Sequence, residues 1–208
     1  NAFAKAATSP SGDVWCVWQG MRGKTADVFC RVFDAKAQKW SAELQVTNDA
    51  AGDWEPCVAF AGQDAWVVFD SARGNEFNIY AAKIGKDLQV AETKQIIATD
   101  RYEGRVSAIG SKDGKGLWIT CERGNQQWGL DMRAHGHAQG LNGRKDTVFA
   151  YFDIASGKVE ELPAPDGLFA DLPGPQPGKA APRANNPKAK AKAEQQAKAR
   201  EAKDKEVG

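Results

Sequence analysis

Long apolar runs are missing from this chain. No stretch approaches the ~20 residues needed to cross a bilayer, and none near the start has the basic-then-apolar order of an export leader. A membrane span is therefore not expected. The first residue is Asn1 rather than Met, as expected of a processed product or a fragment. Also missing are a G-x-S-x-G elbow, a phosphate-binding glycine loop and a Cys/His pairing at catalytic spacing. Without them no catalytic residue is named, no cofactor is expected, and the reading leans away from an enzyme. The four cysteines (Cys16, Cys30, Cys57, Cys121) show no C-x-x-C spacing, which excludes zinc ribbons and thioredoxin-type centres. Histidine is scarce, with His135 and His137 the only two. An excess of one charge is absent as well. The net charge of +1 over 208 residues argues against a dedicated nucleic-acid binder.

What is present is a repeat. Asp64 to Asp70 and Asn78 to Ile84 are two runs of aromatic and β-branched residues around a polar turn with Arg73-Gly74-Asn75, the pattern of a β-hairpin. The unit also occurs upstream, as Asp13 to Gln19, a turn with Arg22-Gly23, and Asp27 to Phe33. Trp15 maps to Trp66 and Asp27 to Asn78 at the same offset of 51 residues, so turn and strands repeat together. Residues 3–8 read as a preceding strand, and Lys39 to Thr47 as a fourth. One copy is thus four short antiparallel strands in about fifty residues, the size of a β-propeller blade. Val14, Cys16 and Trp18 share one face of their strand, Trp15 and Val17 the other, and both faces are apolar. Burial between two neighbouring sheets accounts for that.

The fold class expected is all-β, an incomplete propeller of about three four-stranded antiparallel blades at about 3–47, 56–99 and 105–162, followed by a disordered or helical tail. In the third copy Trp118 takes the place of Trp66, while the partner strand appears late, as Thr147 to Phe152. That delay amounts to an insert of 16 residues within 123–146. Residues 163–187 are a linker rich in Pro, Gly and Ala, and 188–208 an Ala/Lys/Glu tail with no apolar stripe to bury. From Lys179 onward nine Lys/Arg face four Asp/Glu, so the tail carries about +5 and the remainder about −4. Folding the first hairpin about Gly23 would set Cys16 opposite Cys30 and permit a disulfide. Their counterparts in the second copy are Val67 and Ala81, small core residues, so free buried thiols are expected.

Asp53-Trp-Glu-Pro56, Trp66 to Asp70 and Asn78-Ile-Tyr80 resemble the blades of bacterial extracytoplasmic β-propellers of the sialidase-like and TolB-like kind. The third copy, with Glu122, Gly124-Asn125, Trp128-Gly129, Asp131 and Arg144, is similar to propeller segments ahead of PHP-like metal hydrolase domains in large secreted proteins. The resemblance implies an extracytoplasmic location, secreted or periplasmic, and a catalytic domain absent from this chain. Ser111 to Trp118 only approximates the sialidase Asp box: its glycine is displaced and Leu117 stands where threonine belongs. Closed propellers use about four to eight blades, so remaining blades or a partner domain are expected as partners.

In a propeller the turns between second and third strands and the links between blades emerge on one face. That face would collect Arg22, Arg73 and Arg123, the links Trp54-Glu55 and Tyr102-Glu103, and the insert with Trp128 and Asp131. Rings and guanidinium groups together suit sugars or carboxylates. The function expected is therefore a non-catalytic binding or scaffold module of a larger exported protein, engaging carbohydrate or protein through that face. Arg-Gly recurs at all three turns, which also fits a purely structural role. Two alternatives stay open. One is a sialidase-type glycoside hydrolase fragment with the three arginines as a carboxylate clamp. The other is a metal-binding hydrolase using the His135/His137 loop, which the flexible intervening glycine opposes.

Overall fold

The computed structural model describes residues 1–73, 77–124 and 145–163. The chain divides into two units, Asn1–Ala164 and Pro165–Gly208, and the second lies wholly outside the described residues. The tail expectation, and all of the insert between 125 and 144, therefore fall outside them too. Among the described residues there is no helix, only strands and their connections.

The first sheet runs β1 (Ala2–Thr8), β2 (Val14–Met21) and β3 (Ala26–Asp34), then a fourth position shared by β4 (Lys39–Trp40) and β5 (Leu44–Gln45), both paired with β3. The second runs β6 (Asp53–Ala61), β7 (Asp64–Ser71), β8 (Asn78–Ile84) and β9 (Val90–Ile97). The third runs β10 (Glu103–Gly110), β11 (Gly116–Arg123), β12 (Asp146–Asp153) and β13 (Val159–Leu162). All three are antiparallel meanders in chain order, and the chain is an incomplete β-propeller of three blades. The single fourth strand expected over 39–47 is broken because Ser41 bridges the gap. Its N–H donates to the Val32 carbonyl, and its Oγ accepts from the Val32 N–H at 3.0 Å.

Two apolar layers hold the blades together. Trp15, Val17, Val28 and Cys30 of the first blade pack on Ala65, Val67, Phe69, Tyr80 and Ala82 of the second. Trp66, Val68, Ile79 and Ala81 on the second blade's other face pack on Leu117, Ile119, Cys121, Ala150 and Phe152 of the third. The Trp15 indole meets Phe60 edge-on at 5.7 Å, and Trp66 meets Phe152 in the same way at 5.8 Å. Blade approach is close at Gly110, where an added methyl would stand 1.6 Å from the Phe60 carbonyl oxygen.

Among the described residues, only the middle blade is sandwiched on both faces. Trp66 is 0% exposed and Trp15 9%, but Trp118, at the same position of the third copy, is 44% exposed because no blade among the described residues covers its face. On the first blade the outward residues Val14, Cys16 and Trp18 are likewise only half-buried.

The cysteines are all free. The register corrects the expected pairing: Cys16 faces Arg31, and Cys30 faces Val17. The hairpin turns between residues 23 and 24, not about Gly23, so the two thiols stand on opposite faces of the sheet. Burial pushes the Cys30 and Cys121 thiols up to about 12 and Cys57 to about 11, away from the reactive thiolate form at neutral pH.

Candidate functional site

The β2–β3, β7–β8 and β11–β12 connections leave the sheets at the same end as the links between blades. Each of the three repeated arginines there is engaged within its own blade. Arg22 donates to Asn1 Oδ1 and to Glu43 Oε2, both at 3.0 Å. Arg73 Nη2 reaches both carboxylate oxygens of Asp53 at 3.3 Å, and its Nε lies 3.5 Å from Asp49. Arg123 donates from Nε to Glu103 at 2.8 Å and forks both Nη groups onto Glu161. Asn1, Asp53 and Glu103 occupy one position of the repeat, so each arginine ties down the opening of its own blade's first strand. Asp53 and Glu103 are both 0% exposed, and burial raises the Asp53 carboxyl despite Ser71, Thr47 and Arg73. Thr99 supplies Glu103 with two further donors, its N–H and its hydroxyl.

Between these clasps runs a row of rings. Trp54 and Phe77 are 5.1 Å apart, Phe77 and Tyr102 5.4 Å, and the Lys145 ammonium lies 5.8 Å from the Tyr102 ring. Trp54 and Phe77 keep part of their surface in solvent, while Tyr102 is buried.

Beside the row, the innermost strands enter their sheets through a bulge repeated in every blade. The register slips between Ala2 and Lys5, between Trp54 and Cys57, and between Gly104 and Ser107. At each slip one non-glycine residue is left-handed: Phe3 (φ 53°), Glu55 (φ 46°) and Arg105 (φ 55°). At the second and third blades the preceding blade sets a polar side chain against the bulge. The Glu55 N–H donates to Gln19 Oε1 at 3.3 Å, and the Arg105 backbone, beside the Asp70 carboxyl, works against the effect of burial on it. Gln19, Asp70 and Glu122 share one position of the repeat.

Asp70 is buried, and its Oδ1 has no hydrogen-bond partner among the described residues. Burial, and then the charge of Glu55, push its carboxyl well above the usual range. The Tyr102 hydroxyl is raised for the same reasons, burial first and then the charge of Asp70. Arg105 lies 3.5 Å from Glu122, which also pairs with Lys145. Glu55, Asp70, Tyr102, Arg105, Glu122 and Lys145 thus form one cluster of titratable side chains at the mouth between the inner strands.

Asp70 makes a pH prediction with a definite sign. A carboxyl raised on folding holds its proton more readily in the native state. Stability is therefore fullest below the unfolded value, near 3.8, and declines as pH rises toward the folded one. Asp70→Asn keeps a neutral polar side chain beside the Arg105 backbone, at the position where Gln19 accepts from Glu55. Urea unfolding is expected to show the variant more stable than wild type at pH 7, with the advantage shrinking toward pH 4. Equal stability at both pH values would contradict it.

The candidates from sequence are thus distributed as follows. Trp54, Glu55 and Tyr102 join at the mouth; Arg22, Arg73 and Arg123, with Glu103, form the clasps. Trp128, Asp131, His135 and His137 lie outside the described residues. Phe77, Asp70, Arg105 and Lys145 were not singled out. The clue to Asp70 was its place between Gln19 and Glu122 at near-constant offset, concealed because the three residue types differ. At the opposite end, a cleft of about 540 Å³ opens between the first two blades beside the broken fourth strand. Trp15, Trp40, Phe60, Asp13, Asp64 and Lys86 line it, and none of the sequence candidates does.

No family model matches the chain, and no curated protein matches it. Solved structures are similar at low identity. A putative TolB from Agrobacterium tumefaciens shares 16% identity at a TM-score of 0.45, over 77% of this chain and 49% of that one. TolB from Acinetobacter baumannii shares 18% at 0.40, over 76% and 32%. A GH43 endo-arabinanase from Bacillus licheniformis shares 8% at 0.45, over 79% and 60%. The chain is an all-β propeller segment, and it spans less than two thirds of each of these proteins.

Proposed function

We propose that the chain is a non-catalytic propeller module of a larger exported protein, and that it binds carbohydrate at the end bearing the 123–146 insert. The observation that carries this is the ring row Trp54–Phe77–Tyr102 set beside Glu55, Arg105, Glu122 and Lys145. Partly exposed flat rings stack on the apolar faces of sugars, and neighbouring charged groups hydrogen-bond their hydroxyls. The extracytoplasmic location goes with the resemblance of the blades, and no helix among the described residues is long and apolar enough to cross a membrane.

The sialidase-type alternative finds no support here. It needs three guanidinium groups sharing one carboxylate, and each arginine is already held by acceptors of its own blade. The metal-hydrolase alternative depends on His135 and His137, outside the described residues.

The test is a glycan array probed with the full chain, followed by calorimetry on the best-bound oligosaccharide. Trp54→Ala is expected to weaken that binding about tenfold or more, on the order of 1.4 kcal/mol. An array with no bound glycan, or an affinity untouched by the substitution, would overturn the proposal.

A further inference from the structure

The two joints between blades are built to one plan, and the plan leaves a mating half at each end of the stack. In each joint the leading face of one blade carries a tryptophan, an acceptor and a run of small apolar residues. The trailing face of the next carries apolar residues and a bulge amide. Trp15 with Gln19 meets the second blade and the Glu55 amide; Trp66 meets the third, with Asp70 beside the Arg105 backbone. The third blade presents the corresponding leading positions, with no blade against them among the described residues. Trp118, Thr120 and Glu122 stand opposite Tyr151, Phe149 and Thr147 on that face, with Ile109 66% exposed beside them. The first blade presents the trailing half: Val14, Cys16 and Trp18 stand opposite Phe33, Arg31 and Phe29, with Phe3 as its exposed bulge residue.

We infer that the third blade's outer face docks on the first blade's outer face of a second copy of this chain. Two copies joined head to tail at both ends would close a ring of six blades, within the range of closed propellers. Glu122 of each copy would accept from the Phe3 amide of the other, repeating the Gln19 contact with the Glu55 amide. The two faces also differ in charge. Arg31 replaces the alanines found at this position as Ala82 and Ala150, and no partner for it is found among the described residues. The leading face carries Glu122 and the exposed Trp118–Tyr151 ring pair, at 4.7 Å, to receive it. Like faces would bring two Arg31 side chains together, so pairing of unlike faces is favoured. This rests on the propeller reading of the fold, and not on carbohydrate binding at the mouth.

Sedimentation velocity on the full chain is expected to give twice the 22.5 kDa chain mass at micromolar concentration. Trp118→Glu and Cys16→Glu, on opposite faces, should each give monomers with unchanged circular dichroism. An equal mixture of the two keeps one intact joint and should regain dimer. In the wild type, alkylation of the Cys16 thiol should slow as the dimer fills. A wild-type monomer at about 100 μM, roughly the upper range of specific weak association, would overturn the inference. So would species larger than a dimer, or a dimer broken by Trp118→Glu but not by Cys16→Glu. Glycan binding without dimerisation would reject the ring and leave the proposed function standing; the converse result would do the reverse.

Discussion

Trp66→Ala is expected to destabilise the chain by about 3–5 kcal/mol, whereas Trp118→Ala costs less than half of that. The two indoles hold one position of the repeat, so local strand context is closely matched. What differs is the neighbour. Trp66 is closed in by the third blade and edge-on to Phe152, while Trp118 has one face open. Removing Trp66 leaves a cavity lined by two blades that are themselves pinned by their strands, so the site collapses poorly. The Trp66 Nε1 is buried without a hydrogen-bond partner among the described residues, which offsets part of the indole's contribution. Trp66→Phe should therefore cost far less than Trp66→Ala. Urea unfolding at several protein concentrations checks both positions. The effect at Trp66 should not vary with concentration, whereas that at Trp118 should grow where copies associate.

Arg123→Met is expected to cost a similar amount, about 3–5 kcal/mol, because it strands the buried Glu103 carboxylate. Glu103 has zero exposure and would keep only Thr99 as a donor among its described contacts. Arg22→Met, in the clasp over the opening of the first blade, should cost about 0.2–1 kcal/mol. There the acceptor is the amide of Asn1, and the ion pair with Glu43 lies at 41% and 32% side-chain exposure. The pair of substitutions separates a clasp over a buried charge from the same clasp at the surface. Equal losses at the two arginines would mean that Glu103 is not the reason Arg123 matters. Replacing Glu103 and Arg123 together should recover much of the single-variant loss, since no charge is then left unpaired.

Much of the fold could be read directly because it repeats. A constant offset from Trp15 to Trp66 and from Asp27 to Asn78 located two hairpins, and Trp118 located the third. What the repeat could not convey was where a strand breaks. Ser41 is polar and small, and nothing in Lys39 to Thr47 shows that its hydroxyl and amide would both turn onto Val32. Register slipped by one for a similar reason: the residues of a turn do not declare which bond is its centre, and one step moved Cys16 and Cys30 to opposite faces.

The site was less legible than the fold. Rings and arginines were expected together at one end of the blades, yet the arginines' partners were missed. Asp53 and Glu103 stand twenty residues before Arg73 and Arg123, a spacing visible in sequence only once the hairpin geometry is known. The mouth depends on a left-handed residue in a bulge, at Glu55 and Arg105, and no composition or periodicity announces it. Asp70 looked like the polar end of a strand. Its burial comes from the neighbouring blade, a contact that residues far apart in sequence create.

Hydroxyl-radical footprinting of the three repeat tryptophans tests the stacked-blade arrangement most directly. Their common position removes differences of local sequence, so their oxidation rates report which faces another blade covers. Trp118 is expected to react fastest, Trp15 slowly and Trp66 slowest of all, following exposures of 44%, 9% and 0%, at dilutions where copies stay apart. Oxidation of Trp66 as rapid as that of Trp118 would contradict the stacking of the second blade between the other two.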